Sequence, residues 1–194
     1  GRSASPQRRG PDVDRTWTSL RLSMSWGFNR WIPFCGASTK ESAGQLEGGK
    51  TSDVYIWRAS YLPVLNVSSS FVMNPDQNFA PLREGIREWK SIRQYLLKEF
   101  YPLTPWHAEH ERTGFTAFAY LDPETEEGVL FAFRQEDCAE AELTLNFPFA
   151  EPGTKWLVTD ADTGEELCLE GQRARDGFVL RFEKPRTARM FRIR

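Results

Sequence analysis

Cysteine is scarce in this chain: Cys35, Cys138 and Cys168 are three widely spaced residues. Their odd number excludes a fully paired disulfide framework, and isolated cysteines of this kind read as small buried hydrophobes of a reducing, cytoplasmic compartment. Long hydrophobic runs are missing too. No apolar stretch approaches the roughly 20 residues that span a bilayer, and the polar, basic opening from Gly1 to Gly10 has no apolar h-region, so neither a membrane span nor a secretion signal is expected. A net charge of -2 supplies no basic field for a phosphate backbone, which argues against a nucleic-acid partner. Neither a Gly-rich phosphate loop nor a Ser/His/Asp arrangement is visible, and no cofactor is expected.

What the chain does have is length and aromatic residues. Its 194 residues suffice for one large or two small domains, and 14 Phe and 7 Trp suit both a packed core and a sugar-facing surface. Residues 1–16 carry Pro6 and Pro11 without apolar periodicity and predict an irregular start. From Trp17 to Phe34 the apolar spacing of two favours a strand, although Leu20, Met24 and Phe28 also share a helical face. A Gly-rich loop over 37–53 follows. The segment from Val54 to Asn74 then reads as a short helix or strand, broken at Pro63, and a buried strand near Val64 to Val67. Asn74-Pro75-Asp76 signals a helix entry, and Phe79, Leu82, Ile86, Trp89, Ile92, Leu96 and Phe100 recur at helical spacing.

Beyond Pro102 and Pro105 the period switches to two. Strands are predicted at 115–121, 129–134, 141–147, 155–160, 166–169, 178–182 and 188–193, separated by turn clusters such as Glu151-Pro152-Gly153 and Asp176-Gly177. Short strands with such punctuation predict an antiparallel β-sandwich over 103–194. The alternating segments of 17–102 read instead as β/α units. A closed eight-stranded β/α barrel needs roughly 250 residues, so the expectation is the last two or three units of a barrel, marginally stable or self-associating when alone.

Three runs carry a resemblance: Arg58-Ala59-Ser60-Tyr61-Leu62-Pro63; Leu82-Arg83-Glu84 followed by Arg87-Glu88-Trp89-Lys90 and Arg93; and Tyr101-Pro102-Leu103-Thr104-Pro105. Together they resemble the C-terminal part of melibiase-type α-galactosidases, with Tyr101 to Pro105 as the exit from the last barrel helix. Gly128 to Arg134 and Val158 to Gly164 look like that family's C-terminal sandwich. The resemblance implies a retaining glycoside hydrolase acting on α-galactoside-type substrates through two aspartates. It also implies a C-terminal fragment that is inactive alone. The family's Lys-Trp nucleophile motif and Arg-Ser-Asp acid/base motif are absent: Lys155-Trp156 leads into Leu157, and Arg2-Ser3 into Ala4. No catalytic residue is therefore assigned. Asp12 and Asp14 lie a plausible distance ahead of Trp31 to replace the acid/base, but their flanks do not match, and a solvated tail explains them as well.

Trp26, Asn29 and Arg58 become the candidate substrate-binding residues, because the resemblance puts them near the ends of late barrel strands. An aromatic face can cover the apolar side of a pyranose, and amide or guanidinium groups can bind its hydroxyls. Arg58 reads equally as an ion-pair residue, while Trp31 and Trp57 are assigned to core packing. His107 and His110, flanked by Glu109 and Glu111, lack a third ligand at usable spacing and read as a surface linker. Asp160, Asp162 and Gly164 are too short a set for a calcium loop and predict a hairpin turn. The competing class is a non-catalytic, carbohydrate-binding or interaction β-sandwich.

Overall fold

The computed structural model describes residues 7–8, 18–31, 35–39, 53–67, 79–108 and 110–194. The chain divides into two compact units, residues 1–97 with 108–110, and residues 98–107 with 111–194.

In the first unit, strands β1 (Gln7–Arg8), β2 (Cys35–Thr39) and β3 (Val64–Val67) form a parallel sheet in that order, with Gln7 opposite Cys35 and Gly36 opposite Val64. Parallel neighbours cannot be joined by a tight turn. The chain returns through α1 (Thr18–Phe28) between β1 and β2, and through α2 (Val54–Ala59) between β2 and β3. Helix α3 (Ala80–Ile92) follows. Gln7 and Arg8 thus belong to a strand inside the segment expected to be irregular; the expected helix entry at Asn74 lies outside the described residues.

Where the spacing of two from Leu20 to Phe28 favoured a strand, the chain is helical from Thr18 to Phe28 and turns over 29–31. From Leu20 to Phe28 there is no β-branched residue, and Leu, Arg and Met are good helix formers, so local propensity outweighs the spacing of two. The buried residues of α1 are Thr18, Ser19, Arg21, Leu22, Ser23 and Ser25, among which Thr18, Arg21, Leu22 and Ser25 recur at three and four. Trp31 lies just past the helix end and is 81% exposed, contrary to its assignment to the core. Trp57 is buried as expected. Its indole lies over Gly85 of α3, where a Cβ would come within 2.4 Å of the ring, so glycine creates the notch that lets α2 and α3 approach.

Helix α3 also ends earlier than its periodicity suggests. Tyr95 N–H donates to the Ile92 carbonyl at 2.9 Å in a tightened turn, and Phe100 belongs to strand β4 (Glu99–Pro102), paired with Tyr120. Tyr101 and Pro102 therefore open the sheet of the second unit rather than close a helix. β4 is an edge strand, where the N–H that Pro102 lacks need not enter a ladder.

The second unit contains two antiparallel sheets. β4, β5 (Phe115–Asp122), β6 (Glu127–Arg134), β8 (Lys155–Asp160), β9 (Glu166–Glu170) and β11 (Thr187–Ile193) form one, ordered β4-β5-β6-β11-β8-β9; β7 (Glu142–Leu145) and β10 (Phe178–Arg181) form the other. The expected β-sandwich is present. Its core takes Ala117, Ala119, Leu130, Trp156 and Phe191 from the larger sheet and Leu143, Leu145, Phe178 and Leu180 from the smaller. The pleat sends Phe118, Tyr120, Phe131 and Phe133 to the other face of the larger sheet, where they form a buried aromatic cluster with ring centroids 5.6–6.5 Å apart. A short helix, α4 (Gly171–Asp176), joins β9 to β10 and was not foreseen.

Candidate functional site

Trp26 and Asn29 both lie at the C-terminal end of α1. The Arg30 guanidinium sits 5.1 Å above the Trp26 ring, and Asn29 Nδ2 donates to the Ser25 carbonyl at 2.7 Å. Because α1 returns the chain from β1 to its parallel neighbour β2, its last turn is directed toward the N-terminal ends of the strands. Ligands of β/α folds gather at the opposite ends. The resemblance put both residues near the ends of barrel strands; here they lie in the last turn of α1 and just beyond it.

Arg58, 1% exposed in the last turn of α2, is held in a two-pronged ion pair by Glu88 of α3: Nη2 to Oε1 at 2.6 Å and Nε to Oε2 at 3.2 Å. Beside it the Tyr61 hydroxyl donates to the Gly85 carbonyl at 2.9 Å. Burial first, and then the Glu88 carboxylate, raise the Tyr61 phenol far above its ordinary pKa and keep it protonated. Trp89 Nε1 donates to the Leu62 carbonyl at 2.9 Å, and Arg21 Nη1 to Ser60 Oγ at the same distance. Of the two roles open to Arg58, the structure shows the ion pair, which ties α2 to α3. Among the described residues, Trp26 and Asn29 are placed by α1 and Arg58 by α2 and its pair with Glu88.

Two acidic groups in the described part of this unit have structural work: Asp53 caps α2 by accepting from Ile56 N–H at 3.0 Å, and Glu88 holds Arg58. Asp12 and Asp14 lie outside the described residues, on the segment between β1 and α1. Among the described residues, no cluster of three or more His, Cys, Asp or Glu is placed to hold a metal ion. His107 instead faces Glu111, Nδ1 to Oε2 at 3.5 Å. Cys138 is buried, and that burial chiefly raises its thiol pKa. Cys168 is exposed, contrary to expectation, because it lies on edge strand β9 with Leu169, its neighbour on the opposite face, taking the core position.

The second unit carries a cleft of about 500 Å³, lined mainly by charged and hydroxyl residues, that the sequence did not announce. One wall is the β8–β9 turn, where Asp160 Oδ1 accepts from the N–H groups of Asp162 and Thr163 at 2.7 and 3.0 Å, so the expected hairpin turn is present. The other wall is the β10–β11 loop. Arg189 joins them: Nε and Nη2 donate to Asp160 Oδ2, the former at 2.9 Å, and Nη1 donates to the Arg181 carbonyl at 2.8 Å. Its guanidinium also lies 4.7 Å above the Phe191 ring.

Burial alone would raise the Asp160 pKa, but Arg189 and the two turn N–H groups outweigh it and hold the carboxyl below the usual carboxylate value. The stability this contributes is complete above the unfolded value near pH 4 and is lost as pH falls through the lower folded value. Urea midpoints measured across this range are therefore expected to show a gap between the native protein and Asp160→Asn that is widest above about pH 4 and closes below it. A gap that grows on acidification would contradict this assignment.

No family model matches the chain, and neither does any curated protein. Its fold is similar to those of solved α-galactosidases. The α-galactosidase from Lactobacillus brevis superposes with a TM-score of 0.70 at 13% identity, over 95% of this chain and 25% of that one. The GH36 α-galactosidase AgaA from Geobacillus stearothermophilus gives 0.69 at 13% identity, over 93% and 25%. The galactosidase domain of the α-galactosidase-sucrose kinase AgaSK gives 0.68 at 14%, again over 93% and 25%. The chain thus spans about a quarter of the length of these structures. At such identities the shared property is the fold, and the antiparallel sandwich matches. Among the described residues, no helix is long and apolar enough to cross a membrane.

Proposed function

We propose that this chain is the C-terminal part of an α-galactosidase-like glycoside hydrolase. The first unit supplies the closing strands and helices of a β/α barrel, and the second is the sandwich that follows it. One observation carries the reading: the likeness to α-galactosidases extends over 95% of the chain and is not confined to a β-sandwich, an architecture shared by many unrelated functions. The parallel order β1-β2-β3 with intervening helices supports the barrel assignment.

On this reading the substrate is an α-galactoside-type carbohydrate, cleaved with retention by a pair of carboxylates about 5–5.5 Å apart. The chain contributes the barrel's closing wall, acts in the cytoplasm, and does not turn over substrate alone. In the described residues, the parallel sheet has open edges at β1 and β3, which favour association with another copy when no further strands cover them.

The direct test compares this chain with a version extended by its upstream coding sequence, using an aryl α-galactoside as substrate. The chain alone is expected to release no phenol above the blank and to elute as an oligomer, while the extended protein is active. An inactive but folded extended protein would eliminate the substrate assignment.

A further inference from the structure

The cleft between the β8–β9 turn and the β10–β11 loop has no role assigned in the proposed hydrolysis, and its walls are held in place by the chain's own bonds. Its two walls lie far apart in sequence and are tied by Arg189, which bonds Asp160 in one and the Arg181 carbonyl in the other. Each wall also fastens itself. Asp160 caps its own turn, and Thr187 Oγ1 donates to the Lys184 carbonyl at 2.8 Å. A ligand would meet a preorganised surface, which lowers the entropic cost of binding.

Size and charge define the ligand. About 500 Å³ falls within the range of small-molecule pockets. The lining holds four acidic and three basic side chains, so it concentrates neither anions nor cations strongly. Two of those basic groups are already paired, Arg189 with Asp160 and Arg181 with Glu142. Glu165, Glu183 and Lys184 have no side-chain partner among the described residues and line the opening. Phe182 is the single apolar lining residue, and the aliphatic stems of the charged side chains add apolar surface beside it. Carboxylates that accept, an ammonium that donates and a hydroxyl that does both match a ligand rich in hydroxyl groups.

We infer that this cleft is a neutral oligosaccharide-binding site on the sandwich. It rests on the geometry of the second unit alone and is independent of the barrel assignment.

The test is a titration of the 15N-labelled full chain with raffinose, read from backbone amide shifts, with inorganic phosphate as the charged comparison. Saturable shifts are expected at Thr163, Lys184 and Thr187, with little response to phosphate. The double variant Glu183→Ala/Lys184→Ala changes only exposed side chains and is expected to weaken raffinose binding by about tenfold or more, while an unchanged amide spectrum elsewhere reports intact folding. Non-saturable shifts, shifts outside these residues, equal affinity in the variant, or tighter binding of phosphate would each overturn the assignment. The binding assay needs no turnover, so its failure is distinguishable from failure of the hydrolase reading.

Discussion

Replacing Glu88 with alanine is expected to destabilise the first unit by about 3 kcal/mol, near the lower end of the cost of stranding one partner of a buried ion pair. Arg58 is 1% exposed and would keep its charge without the carboxylate that now receives both Nε and Nη2. Glu88 itself is 25% exposed, so water reaches its side of the pair and holds the penalty at that lower end. The double variant Arg58→Met/Glu88→Ala removes the stranded charge and is expected to recover much of the loss. Trp57, packed against Gly85, and Trp89, bonded to the Leu62 carbonyl, lie beside the pair and report on unfolding by fluorescence in urea. A single-variant loss below about 1 kcal/mol would show that the pair behaves as a surface salt bridge.

Gly128→Ala is expected to have a comparable effect on the sandwich, about 3 kcal/mol, at the high end for overpacking. Gly128, the second residue of β6, lies opposite Leu121, and a Cβ there would lie 2.1 Å from the Tyr120 carbonyl oxygen. The obstacle is backbone rather than a movable side chain, so relief requires separating β5 from β6. Those strands carry both the sandwich core and the aromatic cluster on the other face, and the damage extends to each. Val179→Ala, at an exposed position on β10, serves as the comparison and is expected to shift the denaturation midpoint little. Equal midpoints for the two variants would show that the hairpin opens without cost.

Much of the sandwich was readable in advance because its information is local. Glu142 to Leu145 alternates exposed and buried residues as its sequence alternates polar and apolar, and Asp176-Gly177 marks a turn by its chemistry. The same logic failed where two local signals conflict. Leu20 to Phe28 fits both periods, and helix propensity decided the outcome. Phe100 continues the helical spacing of α3 but is recruited by Tyr120 of β5, a pairing partner that no window around Phe100 contains.

The candidate site was far less legible. Arg58 stood out as a guanidinium near an apolar segment, but its pairing with a carboxylate depended on Glu88, which lies on a different helix. The cleft of the second unit gave no warning, since Asp160 and Arg189 look like ordinary turn and strand residues until β8 and β11 lie side by side.

Taken alone, the amino-acid sequence determined the presence of an antiparallel sandwich, the amphipathic helix ahead of it and the hairpin turn at Asp160, because periodicity and turn chemistry act over a few neighbouring residues. Tertiary structure decided the parallel pairing of Gln7 with Cys35, the burial of Arg58 against Glu88 and the joining of two cleft walls through Arg189. Each of those depends on contacts between distant segments, whose energies are set by packing and by exclusion of water, and no local pattern encodes them.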